Sequence, residues 1–228
     1  NSDKIALAAL EHNLHVMIEK PMVLEVKHGE ELLEVAEKMF AENGYDGTSI
    51  RAIAKEADIN IAMISYYFGS KEKLLESLLS YKTANFTMEL ESILSKDIDY
   101  LQKIDEIVTV LVARIHRNRR VYKIIHFEYS NETRQIDFES YIQIKKNNYL
   151  IIEDFVKKGQ KAGVFSKKVN IPLIIPTVLG SYFNFYYNKR FYKDVHQLYT
   201  TDSLDDFIHT ILTDHIKQTI KALLTYEA

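Results

Sequence analysis

The chain has 228 residues, 46% of them hydrophobic and 27% charged, as in ordinary globular proteins, and is long enough for one large core or two modest domains. A net charge of −3 excludes a general positive field, so any nucleic-acid affinity must rest on a few placed groups. The absence of cysteine excludes disulfides and thiolate metal sites, and no apolar run approaches the roughly 20 residues that span a bilayer. Seven Gly and three Pro are few for this length and predict a mostly helical chain with short connections. The short apolar run at 5–10 is followed by no small-residue cleavage site, so no signal peptide and a cytoplasmic location are expected.

Residues 1–26 are read as an atypical extension. A short helix is predicted over 6–14 and a short strand over 15–18, ending at Glu19-Lys20-Pro21. That tripeptide resembles a segment of dehydrogenases related to glucose–fructose oxidoreductase, and the resemblance implies an active-site lysine. No G-x-G-x-x-G occurs in the chain, so Lys20 has no dinucleotide site to serve, and the extension is read as non-catalytic. His12 and His15 are too sparse a set for a metal site and are read as solvated.

From about Gly29 to Asn43 the stripe Leu32, Leu33, Ala36, Met39 and Phe40 predicts a helix stopped by Asn43-Gly44. Thr48 is placed to cap the next helix, whose apolar face is Ile50, Ile53, Ala54 and Ala57. Asp58 stands where the chain must turn, since Asp tolerates a left-handed backbone. Asn60 caps a second short helix with Ile64 and Phe68 inward, Gly69 ends it, and Ser70 caps a long helix to about Ser95. Two short helices across a tight turn form a helix-turn-helix.

The run Thr48-Ser49-Ile50-Arg51-x-Ile53-Ala54, then Ala57-x-Ile59-Asn60, then Ile64-x-Tyr66-Tyr67-Phe68-x-Ser70-Lys71-Glu72-x-Leu74 resembles the DNA-binding signature of the tetracycline-repressor (TetR) family, over about 28–82. Asp58, Ala62 and Ser65 depart from residues common in that family, which bears on the bases read. Ile61 to Phe68 is the expected recognition helix, entering the major groove by its N-terminal half. Asn60, Ile61, Met63, Ser65, Tyr66 and Tyr67 are expected to reach outward: Asn60 and Ser65 can bond base edges or phosphate, Ile61 and Met63 can touch thymine methyls, and Ala62 is counted with the DNA-binding residues. Tyr66 and Tyr67 offer hydroxyls to phosphates, and the resemblance implies the same of Thr48, Ser49, Arg51 and Lys71.

The resemblance implies an all-α fold, with 27–82 as the helix-turn-helix DNA-binding domain and 83–228 as a helical ligand-binding and dimerisation domain. Ile98 to Ala113 is periodic, and the basic cluster from Arg114 to Lys123 is read as a solvated helix end and loop. Further helices are expected over 121–130, 133–161, a Pro172- and Pro176-opened segment buried on several sides, and 203–225. The candidate ligand residues are His126, Tyr129, Tyr141, Phe183 and Tyr186. In the resembled family the last two long helices pair with a twin subunit, which nominates Leu179, Phe183, Phe207, Ile211, Ile216 and Ile220 for the dimer interface.

The expected function is a ligand-responsive regulator, a repressor, that binds a near-palindromic operator in double-stranded DNA as a homodimer. Its effector is an unknown small molecule, and no cofactor, metal, catalytic residue or membrane contact is expected. The alternatives are a regulator of the same fold whose second domain binds a protein or only dimerises, and a dehydrogenase-related enzyme suggested by Glu19-Lys20-Pro21.

Overall fold

The computed structural model describes residues 20–131 and 138–226, with side chains from 29 onward. The expected short helix and strand before Glu19 lie outside these residues. Among the described residues every regular element is helical, and no helix is long and apolar enough to cross a membrane.

The first four helices are α1 (Lys20–Asn43), α2 (Ile50–Glu56), α3 (Ile61–Phe68) and α4 (Lys71–Thr83). They are followed by α5 (Phe86–Ser95), α6 (Tyr100–Arg117), α7 (Arg119–Tyr129) and α8 (Glu139–Lys161). A 3₁₀ turn (Ile171–Leu173) leads into α9 (Ile174–Tyr187), then α10 (Lys189–His196) and α11 (Thr201–Phe207). A π turn (Ile208–Leu212) joins α11 to the last helix, α12 (Thr213–Thr225).

Two compact units result. The first holds the described residues up to Thr87 together with those of 118–147, and the second holds 88–117 with 148 onward. In the first, α1 lays Leu32, Leu33, Ala36 and Phe40 against Ile53, Ile64, Phe68, Leu74 and Leu78, all buried. α7 packs on the same α1, adding Val121, Ile124 and Ile125 to that core. In the second, α6 and α12 pack along their lengths, with Ile104, Val108, Leu111 and Ile115 buried on one and Ile216, Ile220 and Leu224 on the other.

Three expectations are corrected here. The helix expected over 70–95 is two helices: α4 ends at Thr83 and α5 begins at Phe86. The basic cluster is no solvated loop: Arg114 and His116 are buried within α6, and only Asn118 interrupts the helices on either side. The Pro172 segment is buried along one stripe only, Ile174, Val178, Tyr182 and Phe185, while Leu179 and Phe183 are half-buried and Tyr187 is exposed. Pro176 falls in the first turn of α9, where its missing N–H has no helical partner to lose.

Candidate nucleic-acid interface

Each helix of the motif begins on a side chain that satisfies an orphan backbone N–H. Ser49 Oγ accepts from Ala52 N–H at 3.1 Å, Asn60 Oδ1 from Ala62 N–H at 2.9 Å, and Ser70 Oγ from Lys73 N–H at 3.1 Å. The turn between α2 and α3 passes through Asp58 at φ 52°, left-handed as expected. Gly69 ends α3 at φ 78°, its N–H donating to the Ser65 carbonyl at 3.0 Å.

The cap of α2 is therefore Ser49, where Thr48 was expected. Thr48 is 1% exposed, and its hydroxyl lies 2.8 Å from the Gly44 carbonyl and 3.1 Å from the Met39 carbonyl. It pins the loop to the end of α1, and its hydroxyl is not presented to a DNA phosphate. Lys71 is also part of the scaffold. Its ammonium donates to the Tyr45 and Thr48 carbonyls, each at 2.8 Å, and sits 4.1 Å above the Tyr45 ring, which stacks on Phe40. Two of its three donors are spent on the turn, leaving one for a phosphate.

On α3 the residues fall into rows four apart. Ile64 and Phe68 are buried against the core, and Met63 and Tyr67 are half-buried beside them. Ile61 with Ser65, and Ala62 with Tyr66, form two exposed rows, and Asn60 is exposed at their head. The Tyr66 and Tyr67 rings meet edge to face at 5.2 Å. Ser49 and Arg51 are exposed on the neighbouring α2. Asn60, Ile61, Ala62, Ser65, Tyr66, Ser49 and Arg51 are thus presented to solvent together, while Met63 and Tyr67 line the edge of that face.

The bacterial regulatory proteins of the tetR family match residues 32–78 of the chain, a span that runs from α1 through the helix-turn-helix into α4. This segment is a DNA-binding segment of the TetR-family type. Over 140 residues it is 28% identical to the probable HTH-type transcriptional regulator YttP of Bacillus subtilis, covering 60% of this chain and 67% of that one. The fatty acid degradation regulator FadR of Bacillus halodurans superposes with a TM-score of 0.70 at 18% identity, over 88% of this chain and 97% of the other. FadR of Bacillus subtilis, solved in complex with stearoyl-CoA, gives 0.68 at 16% identity, over 86% and 98%. An oxidoreductase family with an NAD-binding Rossmann fold also matches, over residues 2–41; the described part of that span lies in the single helix α1.

Beyond the TetR-family motif, the five candidate ligand residues fall in different units. His126, Tyr129 and Tyr141 belong to the first and Phe183 and Tyr186 to the second. Tyr141 is 7% exposed and its ring contacts Tyr129; burial first, then Tyr122 and Tyr129, push its phenol well above the ordinary value. His126 and Tyr129 are exposed, and Phe183 and Tyr186 each contact the ring of the buried Tyr182. A cleft of about 230 Å³ in the first unit, lined by Phe40, Ala41, Gly44, Lys123, Ile124 and Phe127 among others, includes none of the five. Among the described residues, no group of three or more His, Cys, Asp or Glu side chains is arranged to hold a metal ion.

Two of the six residues nominated for a dimer interface are corrected. Ile216 and Ile220 are each 1% exposed within the single chain, because every fourth residue of α12 faces α6. Leu179 and Phe183 are half-buried, Phe207 stacks on Phe185 at 5.2 Å, and Ile211 is exposed.

Sequence reasoning also missed the buried polar centre of the second unit. His116 on α6 bonds the Tyr182 hydroxyl through Nδ1 at 2.8 Å and the Asp205 carboxylate through Nε2 at 3.0 Å. An Nε2–H donor to Asp205 and an Nδ1 acceptor from Tyr182 satisfy both bonds with a neutral ring. Nearby, the buried Arg114 pairs with Glu89 at 3.1 Å. The sequence signal available was weak: two polar residues, one on each side of the buried Ile115, in a basic run.

Proposed function

We propose that this chain is a TetR-family repressor that binds a near-palindromic operator as a homodimer and releases it on binding a small-molecule effector in the cytoplasm. We assign DNA binding to 27–82 and effector binding and dimerisation to 83–228. One observation carries the DNA assignment: α3 hides Ile64 and Phe68 while turning Asn60, Ile61, Ala62, Ser65 and Tyr66 outward beside the exposed Arg51. The half-buried Leu179 and Phe183 and the exposed Tyr187, Ile211 and Leu223 support a partner on the α9 and α12 side. In a symmetric pair the two recognition helices stand about 34 Å apart, one DNA turn. The stearoyl-CoA bound by a FadR of the same fold supports an effector, and makes a long-chain acyl-CoA the first to test.

The experiment is fluorescence anisotropy of the full chain on the DNA upstream of its own gene, across a salt series. Affinity should fall steeply with salt, and the binding unit should be a dimer. Arg51→Ala should weaken all sequences alike and lower the salt slope by about 1. If binding shows no sequence preference, or the binding unit is a monomer, the proposal is wrong. An effector must bind the free and DNA-bound conformations with different affinity, so stearoyl-CoA should raise the operator Kd. No response to any small molecule would favour a second domain that only dimerises or binds a protein.

A further inference from the structure

We infer that the recognition helix reads thymine by its methyl group, and that Ile61 is the residue that sets this preference. The inference deepens the DNA-binding proposal above and rests on it.

The two outward rows of α3 are Ile61–Ser65 and Ala62–Tyr66. Neither holds Arg, Lys, Gln, Asp or Glu, so the side chains that grip guanine with two bonds or accept from the cytosine amine are missing from the helix face. The one residue there of a type that reads adenine with two bonds is Asn60, which needs its amide oxygen and nitrogen together on the base edge. That oxygen already accepts the Ala62 N–H at 2.9 Å as the helix cap, from an extended backbone at φ −70° and ψ 130°. Turning the amide onto an adenine edge gives up the cap and leaves an orphan donor at the head of the helix. Asn60 therefore offers only its NH₂ group, a donor without a paired acceptor, which any phosphate oxygen or acceptor edge satisfies.

What remains at the end of the helix that enters the groove is apolar. Ile61 is the first helical residue and is 43% exposed, and Ala62 beside it is exposed and small enough to let the backbone approach the base pairs. The C5-methyl of thymine is the major-groove feature such a surface recognises. Met63 stands in the half-buried row and takes the lesser part. Ser65, one turn along from Ile61, adds a hydroxyl that bonds either kind of base edge.

The test uses the full chain and duplexes that it enriches from a random-sequence library. Each thymine of the enriched duplex is replaced in turn by uracil, which lacks only the methyl. At one thymine in each half-site, uracil should weaken binding about fourfold, the loss expected for one buried methyl, and about fifteenfold when both half-sites are changed. Ile61→Ala, at an exposed position where folding is checked by thermal melting, should abolish the thymine–uracil difference and leave the salt slope unchanged. Uracil bound as well as thymine at every position, or a base preference that follows Asn60→Ala and ignores Ile61→Ala, overturns the inference while the regulator stands. Failure to enrich any sequence overturns the DNA-binding proposal, and this inference with it.

Discussion

The helix-turn-helix and the buried centre of the second unit solve the same problem, satisfying polar groups inside an apolar fold, over different distances along the chain. In the first, each cap bonds a backbone N–H two or three residues away: Ser49 to Ala52, Asn60 to Ala62, Ser70 to Lys73. In the second, His116 meets partners 66 and 89 residues away, on helices that must first be brought to it. Local bonds form as soon as the turn forms and lose little when a neighbour is changed. Long-range buried ones are cooperative, and leaving one partner without the other exposes the full desolvation cost.

The largest expected effect follows from that contrast. His116→Leu should destabilise the protein by about 2–3 kcal/mol, because the fully buried Tyr182 hydroxyl and the Asp205 carboxylate both lose their bonds to the imidazole. The double variant with Tyr182→Phe should cost clearly less than the sum of the two single variants. Denaturant titration of the four proteins measures the cycle; simple additivity would remove the distinction between the two regions.

Next come the caps. Ser49→Ala and Ser70→Ala should each cost about 1 kcal/mol, and the pair about 2, since each serves its own helix. A strongly non-additive pair would mean that the motif is as interdependent as the buried centre. Lys71→Ala should exceed either one and also lower DNA affinity, because it removes the bonds to the Tyr45 and Thr48 carbonyls as well as a cation.

The smallest effect lies at Glu76, a long-range tie within the first unit. This carboxylate on α4 is 8% exposed, bonds Lys73 at 2.6 Å and accepts the Ser140 N–H at the start of α8. Burial pushes its carboxyl up, but the Lys73 bond and the Ser140 N–H together outweigh that and hold it below the ordinary value. A depressed folded-state pKa means stability that is present above the unfolded value, about 4.3, and is lost as pH falls through the folded one. Glu76→Gln should flatten that part of the acid side of the stability profile; an unchanged profile would show that the tie is not formed in solution.

Much of the motif was legible because its determinants are neighbours. Asp58 and Gly69 adopt the positive φ that their residue types allow, and Asn60 and Ser70 cap the helices that follow them. The cap at Thr48 was placed one residue early, because two adjacent hydroxyls look alike in sequence. Which of them caps is decided by α1, whose Met39 carbonyl lies nine residues away and draws Thr48 inward. The break after Thr83 has no local sign: its hydroxyl bonds back to the Leu79 carbonyl, but Thr109, Thr177 and Thr219 bond back one turn in the same way within helices that continue. His116, set among Arg114, Arg117, Arg119 and Arg120, carries no such local sign.

By itself the sequence determined the helical character of the chain, the caps at Asn60 and Ser70, and the inward Ile64 and Phe68 of the recognition helix, because bonds over two to four residues and a period of 3.6 need no knowledge of the rest of the chain. Only the tertiary structure decided that Thr48 and Lys71 brace the turn, that Ile216 and Ile220 are already covered, and that His116 joins Tyr182 to Asp205. Each of those outcomes depends on which surfaces meet after the helices have formed, and burial is a property of the meeting.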